Sequence, residues 1–258
     1  MDHIVSLSGG TASAVAADRV IKAYGRDRVT LWFADTLWED EDLYRFLRDL
    51  ELYWGIPIIR HTDGRTPLEV AEQASIIPNN RRAPCSLQLK IKPFTAYIKA
   101  MPKPLTVHLG LDFTETHRAE RPKVEYEEIS GVTVDLPLLW EPVAMPPHRY
   151  VVEEWGIETP RLYKLGFPHN NCGGRCVRQG IKEWLRLNQI FPERFAEVAD
   201  WEAEQRAKGG ARANYSISKD RKGGVAKPLP LYDLANIKGE QLNMNVSNED
   251  TFGCMCSY

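Results

Sequence analysis

The first half of the chain alternates short apolar segments with longer amphipathic ones, and this alternation limits the possible folds more than any other feature. Residues 4–7, 29–34, 56–59 and 105–109 have the apolar character of buried strands. Residues 11–24, 39–54 and 87–100 lie between them and have helical periodicity. Strands that alternate with helices build a parallel sheet covered on both faces. We therefore expect an α/β fold with an open, mainly parallel twisted sheet and helices on both faces.

The second half of the chain has a different pattern, which begins after about residue 141. Prolines interrupt it at positions 142, 146 and 147, and helical patterns follow at residues 151–155, 172–190 and 192–208. The last of these patterns has a proline in its first turn and two glycines at its end, the usual start and stop signals. We predict an α/β domain at residues 1–141 and a mostly helical part at residues 142–258.

The overall composition is that of an ordinary globular protein. Its 258 residues include 33 Lys and Arg against 35 Asp and Glu, which argues against a dedicated duplex-DNA binder while leaving a local basic patch open. No apolar run approaches the roughly 18 residues that span a bilayer, so we expect no membrane partner. The first residues have neither a basic start nor a long apolar run. We expect a cytoplasmic protein, and the sequence leaves a homo-oligomer open.

A glycine turn, Ser8-Gly9-Gly10-Thr11-Ala12-Ser13, separates the first strand from the first helix. Glycines let the backbone approach an oxyanion closely, and the start of a helix offers unpaired N–H groups to it. The turn matches neither G-x-G-x-x-G nor G-x-x-x-x-G-K-[ST], which disfavours a Rossmann dehydrogenase and a P-loop kinase. A tight turn that needs glycine without any ligand is the alternative. The predicted phosphate site comprises Ser8, Gly9, Gly10, Thr11 and Ser13.

Polar residues also follow the second and the fourth strand. Asp35 and Thr36 close the second strand, and Gly110 opens a charged segment after the fourth. Because the carboxyl ends of parallel strands meet at one edge of a sheet, we expect these residues beside the glycine turn. Arg118 and Arg121 of the charged segment have the planar guanidinium that holds phosphate with two hydrogen bonds. A solvated charged turn is the alternative for this segment.

Four of the five cysteines form two close pairs. Cys172 and Cys176 are separated by Gly-Gly-Arg, and Cys254 and Cys256 lie near the end of the chain. Close cysteine pairs in a chain without secretion signals point to metal or redox chemistry before disulfides. We predict that the four thiolates bind a metal, and a Cys₄ set serves Zn²⁺ and a [4Fe-4S] cluster equally well.

The fifth cysteine, Cys85, stands in a basic segment at a predicted helix start. Two preceding arginines, Lys90 and the helix N-terminus all favour its thiolate, which makes Cys85 a candidate nucleophile or metal ligand. A small buried residue is the equal alternative. A cluster built from Cys85 and the first cysteine pair is also open, with His169 as a further candidate ligand.

The glycine turn resembles the PP-loop of the ATP pyrophosphatase superfamily, whose pattern is S-G-G-x-D-S. Ser8, Gly9, Gly10 and Ser13 match it, while Ala12 replaces the usual Asp. That replacement removes an acidic group from the loop. The backbone, which supplies most of the phosphate cradle, is unaffected.

Other segments resemble the phosphoadenosine-phosphosulfate (PAPS) reductase-like branch of that superfamily, of phage and bacterial type. Asp35-Thr36-Leu37 resembles its D-T-G turn, with Leu37 for glycine, and residues 110–121 resemble its G-x-x-x-x-E-x-x-R segment. Residues 85–90 resemble its C-x-x-x-x-K segment, and residues 254–256 its C-G-C tail with Met for Gly. The resemblance implies an adenine nucleotide alpha hydrolase-like fold and an adenine-nucleotide ligand, ATP or a PAPS-like nucleotide with Mg²⁺.

The resemblance further implies roles for these residues. Asp35 and Thr36 would lie near the adenosine, and Glu115, Arg118 and Arg121 would act at the phosphate and Mg²⁺ end. We expect cleavage of ATP to AMP and pyrophosphate, which adenylates an acceptor and is coupled to sulfur transfer. The acceptor is open between tRNA, DNA and a small molecule.

Two alternatives remain open. A PAPS or sulfonucleotide reductase is the first, although the tail lacks the Glu and His of that family's E-C-G-x-H-like segment. A non-catalytic nucleotide- or nucleic-acid-binding module is the second, with Ala12 in the loop as its motive. The basic stretch Arg175, Arg178, Lys182 and Arg186 would meet the polynucleotide in that case, although such a stretch is usually a solvated helix face.

Overall fold

The computed structural model describes residues 1–141, 144–220 and 225–237. Its centre is a five-stranded sheet in the order β3-β2-β1-β4-β5, and every neighbouring pair is parallel. The strands are β1 Asp2–Leu7, β2 Val29–Asp35, β3 Ile58–Thr62, β4 Leu105–Leu109 and β5 Val132–Asp135. The expectation of an open parallel α/β sheet is confirmed.

Helices follow the strands and cover both faces of the sheet. The helices are α1 Thr11–Tyr24, α2 Glu41–Trp54, α3 Pro67–Gln73, α4 Lys92–Ala100, α5 Glu120–Glu127, α6 Pro147–Trp155, α7 Arg161–Lys164, α8 Ile181–Ile190, α9 Pro192–Ala207 and α10 Leu231–Ala235. Two further strands, β6 Ser218–Asp220 and β7 Lys227–Leu229, form a small antiparallel pair. Within the described ranges, no helix combines the length and apolar character needed to cross a bilayer.

The side chains of β1 alternate between two cores. Val5 and Leu7 pack with α1 and α2 on one face, whereas Ile4 packs with Phe94 of α4 on the other. A parallel strand that is covered on both faces reads as a nearly continuous apolar run, which explains the sequence of β1. Val151 of α6 belongs to the first of these cores. The division of the chain at residue 141 stays a prediction.

A third core joins the C-terminal helices to one edge of the sheet. Trp184 of α8 and Phe195 of α9 are buried in it together with Trp38 and Cys85, which come from the loop after β2 and the start of the helix before β4. The C-terminal helices therefore pack beside the carboxyl end of β2.

Three predicted elements differ from the structure. β3 begins at Ile58, because Pro57 has no N–H for the ladder. The helix predicted at residues 87–100 includes a π-helical turn, Ser86–Ile91, just before Pro93. The wider turn fits a proline that lacks the hydrogen bond to the preceding turn.

The largest difference concerns the helix predicted at residues 172–190. Its first part is instead a 3-10 turn, Asn171–Gly174, and α8 begins only at Ile181. Cys172, Gly173 and Gly174 have φ values of 53°, 58° and 82°. This left-handed run cannot continue a right-handed helix.

Candidate functional site

The strand order reverses between β1 and β4, and the glycine turn lies at that point. From β1 the chain moves outward to β2 and β3, and then crosses back to β4 and β5. In open α/β sheets the carboxyl ends of the strands flanking such a switch form the ligand crevice. Ser8 follows β1 and Gly110 follows β4, so both candidate segments begin at this crevice.

The conformation of the turn requires glycine at position 9. Gly9 has φ +78°, a region that side-chain-bearing residues rarely adopt. A Cβ there would also lie 2.7 Å from Leu43 Cδ1 of α2. Gly10 is extended and forms the N-cap of α1. In the described part of the chain no side chain caps this helix. The first N–H groups of such a helix are available to a ligand, so the phosphate site at this turn stays a prediction.

Ser13 fixes the shape of the turn. Its Oγ accepts a hydrogen bond from Ser8 N at 3.1 Å, donates to Gly10 O at 2.9 Å, and lies 3.0 Å from Ser8 Oγ. Ser13 and Thr11 are both buried. The structure thus gives Ser13 a role in holding the cradle.

Gly110 contacts the same turn from β4. A Cβ on Gly110 would lie 2.7 Å from the Cα of Ser13, which is far inside any allowed contact. The sequence places Gly110 in the charged segment, and the structure shows why it is glycine: the backbone of β4 passes directly against the start of α1.

The turn after β2 is ordered by its own side chains. Asp35 Oδ1 accepts hydrogen bonds from Leu37 N at 2.8 Å and from Tyr44 Oη at 2.9 Å. Burial and the bond to Asp35 raise the pKa of Tyr44, which keeps its hydroxyl a donor. Leu37 has φ +59°, so it adopts the left-handed conformation although it is not glycine. Thr36 is buried and donates to Glu39 Oε1 at 2.9 Å.

Glu39, which the sequence reasoning missed, joins three segments at the sheet edge. Its side chain is 1% exposed. Besides Thr36, it accepts a hydrogen bond from Cys172 N at 2.6 Å and lies 4.0 Å from Lys90 Nζ. Burial raises the pKa of Glu39, against the lowering effects of Lys90 and these hydrogen bonds. A carboxylate two residues before a helix N-terminus resembles ordinary capping, so no sequence signal marks it.

The loop of the first cysteine pair lies against the glycine turn and the β2 turn. Asn170 Nδ2 donates to Gly9 O at 3.3 Å. Arg175 donates to Trp38 O at 2.9 Å and stacks 4.5 Å from the centre of its ring. A Cβ on Gly173 would lie 2.9 Å from the same Trp38 oxygen. The loop therefore needs glycine at this close approach.

Asp40, the residue before α2, is connected to the cysteine loop through an arginine. Its carboxylate is fully buried and binds Arg161 at 2.8 Å and Arg194 at 2.7 Å. Burial by itself would raise the pKa of Asp40, but the two arginines hold it below its usual value. Arg194 also donates to Gly173 O at 3.0 Å. Asp40 thus connects the start of α2 to the cysteine loop through one guanidinium.

Three cysteines line one cavity beside Thr36. Cys85 lies in the first turn of the helix before the π-helical turn, and Cys172 and Cys176 come from the cysteine loop. Lys90 and Arg178 also line this cavity, which we call the cysteine cavity. Sequence spacing alone does not bring Cys85 to the pair, since the contact depends on how the C-terminal helices pack.

The described ranges contain no group of three His, Cys, Asp or Glu side chains close enough to hold a metal ion. Cys254 and Cys256, the other half of the predicted metal site, lie outside the described residues. The thiols of the cysteine cavity have the soft ligand chemistry of zinc and iron–sulfur sites, but they do not form such a site by themselves. The metal site stays a prediction.

The charged segment after β4 is only partly described. Its backbone forms a 3-10 helix, Phe113–Arg118, next to Gly110. The side chains of Glu115 and Arg118 lie outside the described part of the structure. Arg121 is 75% exposed and lies 4.0 Å from Glu125 on α5. Their roles at the phosphate and Mg²⁺ end stay predictions.

The basic stretch does not form one face. Arg175 points inward and pairs with Glu197 at 2.5 Å. Arg186 stacks 5.9 Å from the ring centre of Phe167. Arg178 lines the cysteine cavity, and Lys182 is exposed on α8. Only Lys182 and Arg186 lie on α8, because the left-handed turn and the loop before Ile181 keep Arg175 and Arg178 out of that helix. The polynucleotide-binding alternative stays a prediction.

Comparison with solved structures finds similarity to the phosphate complex of a phosphoadenylyl-sulfate (PAPS) reductase from Candida auris. The two chains are 21% identical, the TM-score is 0.48, and the match covers 66% of this chain and 81% of that chain. No family model and no curated protein sequence matches the chain. The fold assignment accordingly stands on the strand order, and the site on the contacts described above.

Proposed function

We propose that the chain is a PP-loop enzyme that binds an adenine nucleotide at the glycine turn and joins its chemistry to the thiols of the cysteine cavity. The nucleotide is ATP with Mg²⁺. ATP is cleaved to AMP and pyrophosphate, an acceptor is adenylated, and sulfur transfer follows. The observation that carries this proposal is the direct attachment of the cysteine loop to the glycine turn through Asn170 and to the turn after β2 through Glu39.

The geometry at the glycine turn suits the first step. An acceptor oxygen attacks the α-phosphorus, the bond to the β-phosphate oxygen breaks, and pyrophosphate leaves with the electron pair. The uncapped start of α1 stabilises the negative charge on the phosphates, and Ser13 keeps the turn in position before the nucleotide arrives. The protein contributes position and charge, as in other phosphoryl-transfer sites.

The cysteine cavity suits the second step. A persulfide carried by one cavity cysteine, loaded by an external sulfur donor, attacks the acceptor carbon and displaces AMP. A second cavity thiolate then breaks the sulfur–sulfur bond, which releases the thiolated acceptor and leaves a disulfide that an external thiol reduces. This exchange needs two thiols on one cavity, and the cysteine cavity has three.

A sulfonucleotide reductase is the second candidate. The three thiols of the cysteine cavity favour it as well. In that reaction a thiolate attacks the sulfonate sulfur of PAPS and displaces the nucleotide. A second thiolate then releases sulfite and forms a disulfide. The two candidates use the same thiols on different substrates, so substrate tests separate them.

The deciding experiment measures products from the purified full chain. We expect pyrophosphate release from ATP and Mg²⁺ when bulk tRNA, DNA or a small-molecule pool is the acceptor, with a large loss in Ser13→Ala. Ser130→Ala is the matched control, because Ser130 is exposed and far along the chain from the turn. Equal rates in the two variants would overturn the assignment of the glycine turn.

The reductase is tested with the same preparation. Sulfite release from PAPS and a thiol donor, lost in Cys176→Ser and absent with ATP, would replace the first candidate by the second. Anaerobic purification with metal analysis tests the predicted thiolate metal site. A protein with neither iron nor zinc would refute that site without affecting the nucleotide assignment.

A further inference from the structure

A polar cavity lies beside the cysteine cavity. It is formed where the loop at Asn80, the start of α8 and β6 meet. We call it the α8 cavity. Its polar lining consists of Asn80, Arg178, Gln179, Gly180, Ser218 and Lys219. The proposed reaction uses none of these groups.

The charge of the α8 cavity has one sign. Arg178 and Lys219 line it, and no carboxylate is among its lining residues. Within residues 1–141, 144–220 and 225–237, neither cation forms an ion pair or a side-chain hydrogen bond. Arg175, three positions from Arg178, has by contrast both a carboxylate and a carbonyl partner. Two partly buried cations that share a cavity repel each other, and an anion between them offsets that repulsion.

The remaining polar groups of the α8 cavity are mostly hydrogen-bond donors. The Nε2 amide of Gln179 is buried and lacks an acceptor among the described residues. Gly180 forms the N-cap of α8, a helix of 10 residues whose first turn has no side-chain cap in the described structure. The N–H groups in the first turn of α8 add hydrogen-bond donors to the cavity, and the dipole of this helix adds positive potential there. A cavity that offers donors and positive charge suits an oxyanion.

The position of the α8 cavity relates it to the thiols. Arg178 lines both the α8 cavity and the cysteine cavity, whose wall includes Cys85, Cys172 and Cys176. An anion held by Arg178 therefore lies next to the place where the acceptor would meet the thiols. No residue of the glycine turn lines the α8 cavity, so the two places are distinct.

We propose that the α8 cavity is a subsite for a phosphoryl group carried by the acceptor substrate. Arg178 and Lys219 neutralise the phosphoryl oxygens, Gln179 donates to them, and the start of α8 completes the seat. The acceptor is thereby a phosphorylated molecule, either a polynucleotide or a small phosphate ester. The assignment of the phosphate to an acceptor rests on the proposed function, whereas anion binding in the cavity does not.

Binding of three probes to the full chain tests this subsite: inorganic phosphate, uridine 5′-monophosphate and a decauridylate RNA, at constant ionic strength. We expect Arg178→Gln and Lys219→Gln each to weaken binding of at least one probe about tenfold, the effect of losing one charge-assisted hydrogen bond. Lys182→Gln is the matched control, since Lys182 is exposed on α8 and outside the cavity lining. It should change binding less than about twofold.

The pattern over probes distinguishes the sources of the phosphate. Tight binding of the RNA with weak binding of the mononucleotide identifies a polynucleotide acceptor, and the reverse order identifies a small one. Equal weakening in all three lysine and arginine variants, or no saturable binding of any probe, overturns the subsite. Ser13→Ala tests whether a probe binds at the glycine turn instead. A probe bound at the subsite should keep its affinity in this variant, whereas a probe bound at the glycine turn should lose affinity.

The same variants separate this proposal from the proposed function. If the probes bind and no acceptor yields pyrophosphate from ATP, the subsite stands and the adenylation reaction is wrong. If pyrophosphate is released and Arg178→Gln changes only the binding of ATP, the subsite is wrong and the reaction stands. Thermal unfolding of each variant shows that a loss of binding comes from a folded protein.

Discussion

Replacing Glu39 by alanine tests whether the turn after β2 and the cysteine loop are held together as the structure shows. The substitution removes the acceptor of Cys172 N at 2.6 Å and of the Thr36 hydroxyl at 2.9 Å. It also leaves Lys90, whose side chain is 12% exposed, without the carboxylate at 4.0 Å.

The magnitude follows from these contacts. Each hydrogen bond to a charged group contributes about 1.5–3 kcal/mol, and a buried N–H left without an acceptor carries its full desolvation cost. Burial of the carboxylate works in the opposite direction, as the raised pKa of Glu39 indicates. We expect the free energy of unfolding to fall by about 2–4 kcal/mol. Glu39→Gln keeps one acceptor for Cys172 N and should lose roughly half as much.

The matched control is Glu41→Ala, two residues further along. The Glu41 side chain is 80% exposed, and its bonds to Arg161 and Arg194 reach into solvent. Exposed ion pairs contribute little, so this variant should lose less than about 1 kcal/mol.

The assay is urea unfolding followed by tryptophan fluorescence and circular dichroism, with midpoints compared at constant slope. A second readout is the rate at which iodoacetamide modifies Cys172, which should rise in Glu39→Ala because the loop loses an anchor. If Glu39→Ala and Glu41→Ala unfold at the same midpoint and Cys172 reacts at an unchanged rate, the coupling through Glu39 is refuted.

Three further substitutions probe the crevice and the sheet. Gly110→Ala places a Cβ 2.7 Å from the Cα of Ser13, so we expect the free energy of unfolding in urea to fall by about 1–3 kcal/mol and ATP to bind more weakly in titration. Unchanged stability would contradict the packing, and unchanged ATP affinity would contradict the proposed nucleotide site. Burial lowers the pKa of His108 to about 4, so the folded state resists the proton that the unfolded chain takes up below about pH 6.5. The unfolding free energy should therefore fall by up to roughly 3 kcal/mol between pH 6.5 and 4, and His108→Gln should flatten this slope; parallel curves would argue against it. Asn170→Ala should speed alkylation of the neighbouring cysteine pair, whereas Asn171→Ala should not, and equal rates in the two variants would refute the anchor to the glycine turn.

The local sequence was sufficient for the elements whose signals are local. The alternation of apolar strands and amphipathic helices predicts the sheet, because each strand must be covered on both faces. The glycine turn can also be predicted from the sequence, because the positive φ of Gly9 and the start of α1 are determined by residues next to each other in the chain. The failure at residues 172–180 has a local cause as well, in the left-handed conformation of Cys172, which no propensity favours.

The long-range contacts were not readable in the same way. Glu39 resembles a capping carboxylate in the sequence, and only the packing of the cysteine loop makes it a shared acceptor. Arg175 and Arg178 look equivalent in the basic stretch, yet one binds Glu197 and the other lines two cavities.

By itself, the sequence determined the fold class and the position of the glycine turn between β1 and α1, because periodicity and glycine conformation are properties of short segments. Only the tertiary structure decided that Cys85 shares a cavity with Cys172 and Cys176, and which cations lack a partner among the residues that the structure describes. Those facts depend on how the C-terminal helices pack against the carboxyl end of β2. Contacts between residues so far apart along the chain produce no pattern in the local sequence.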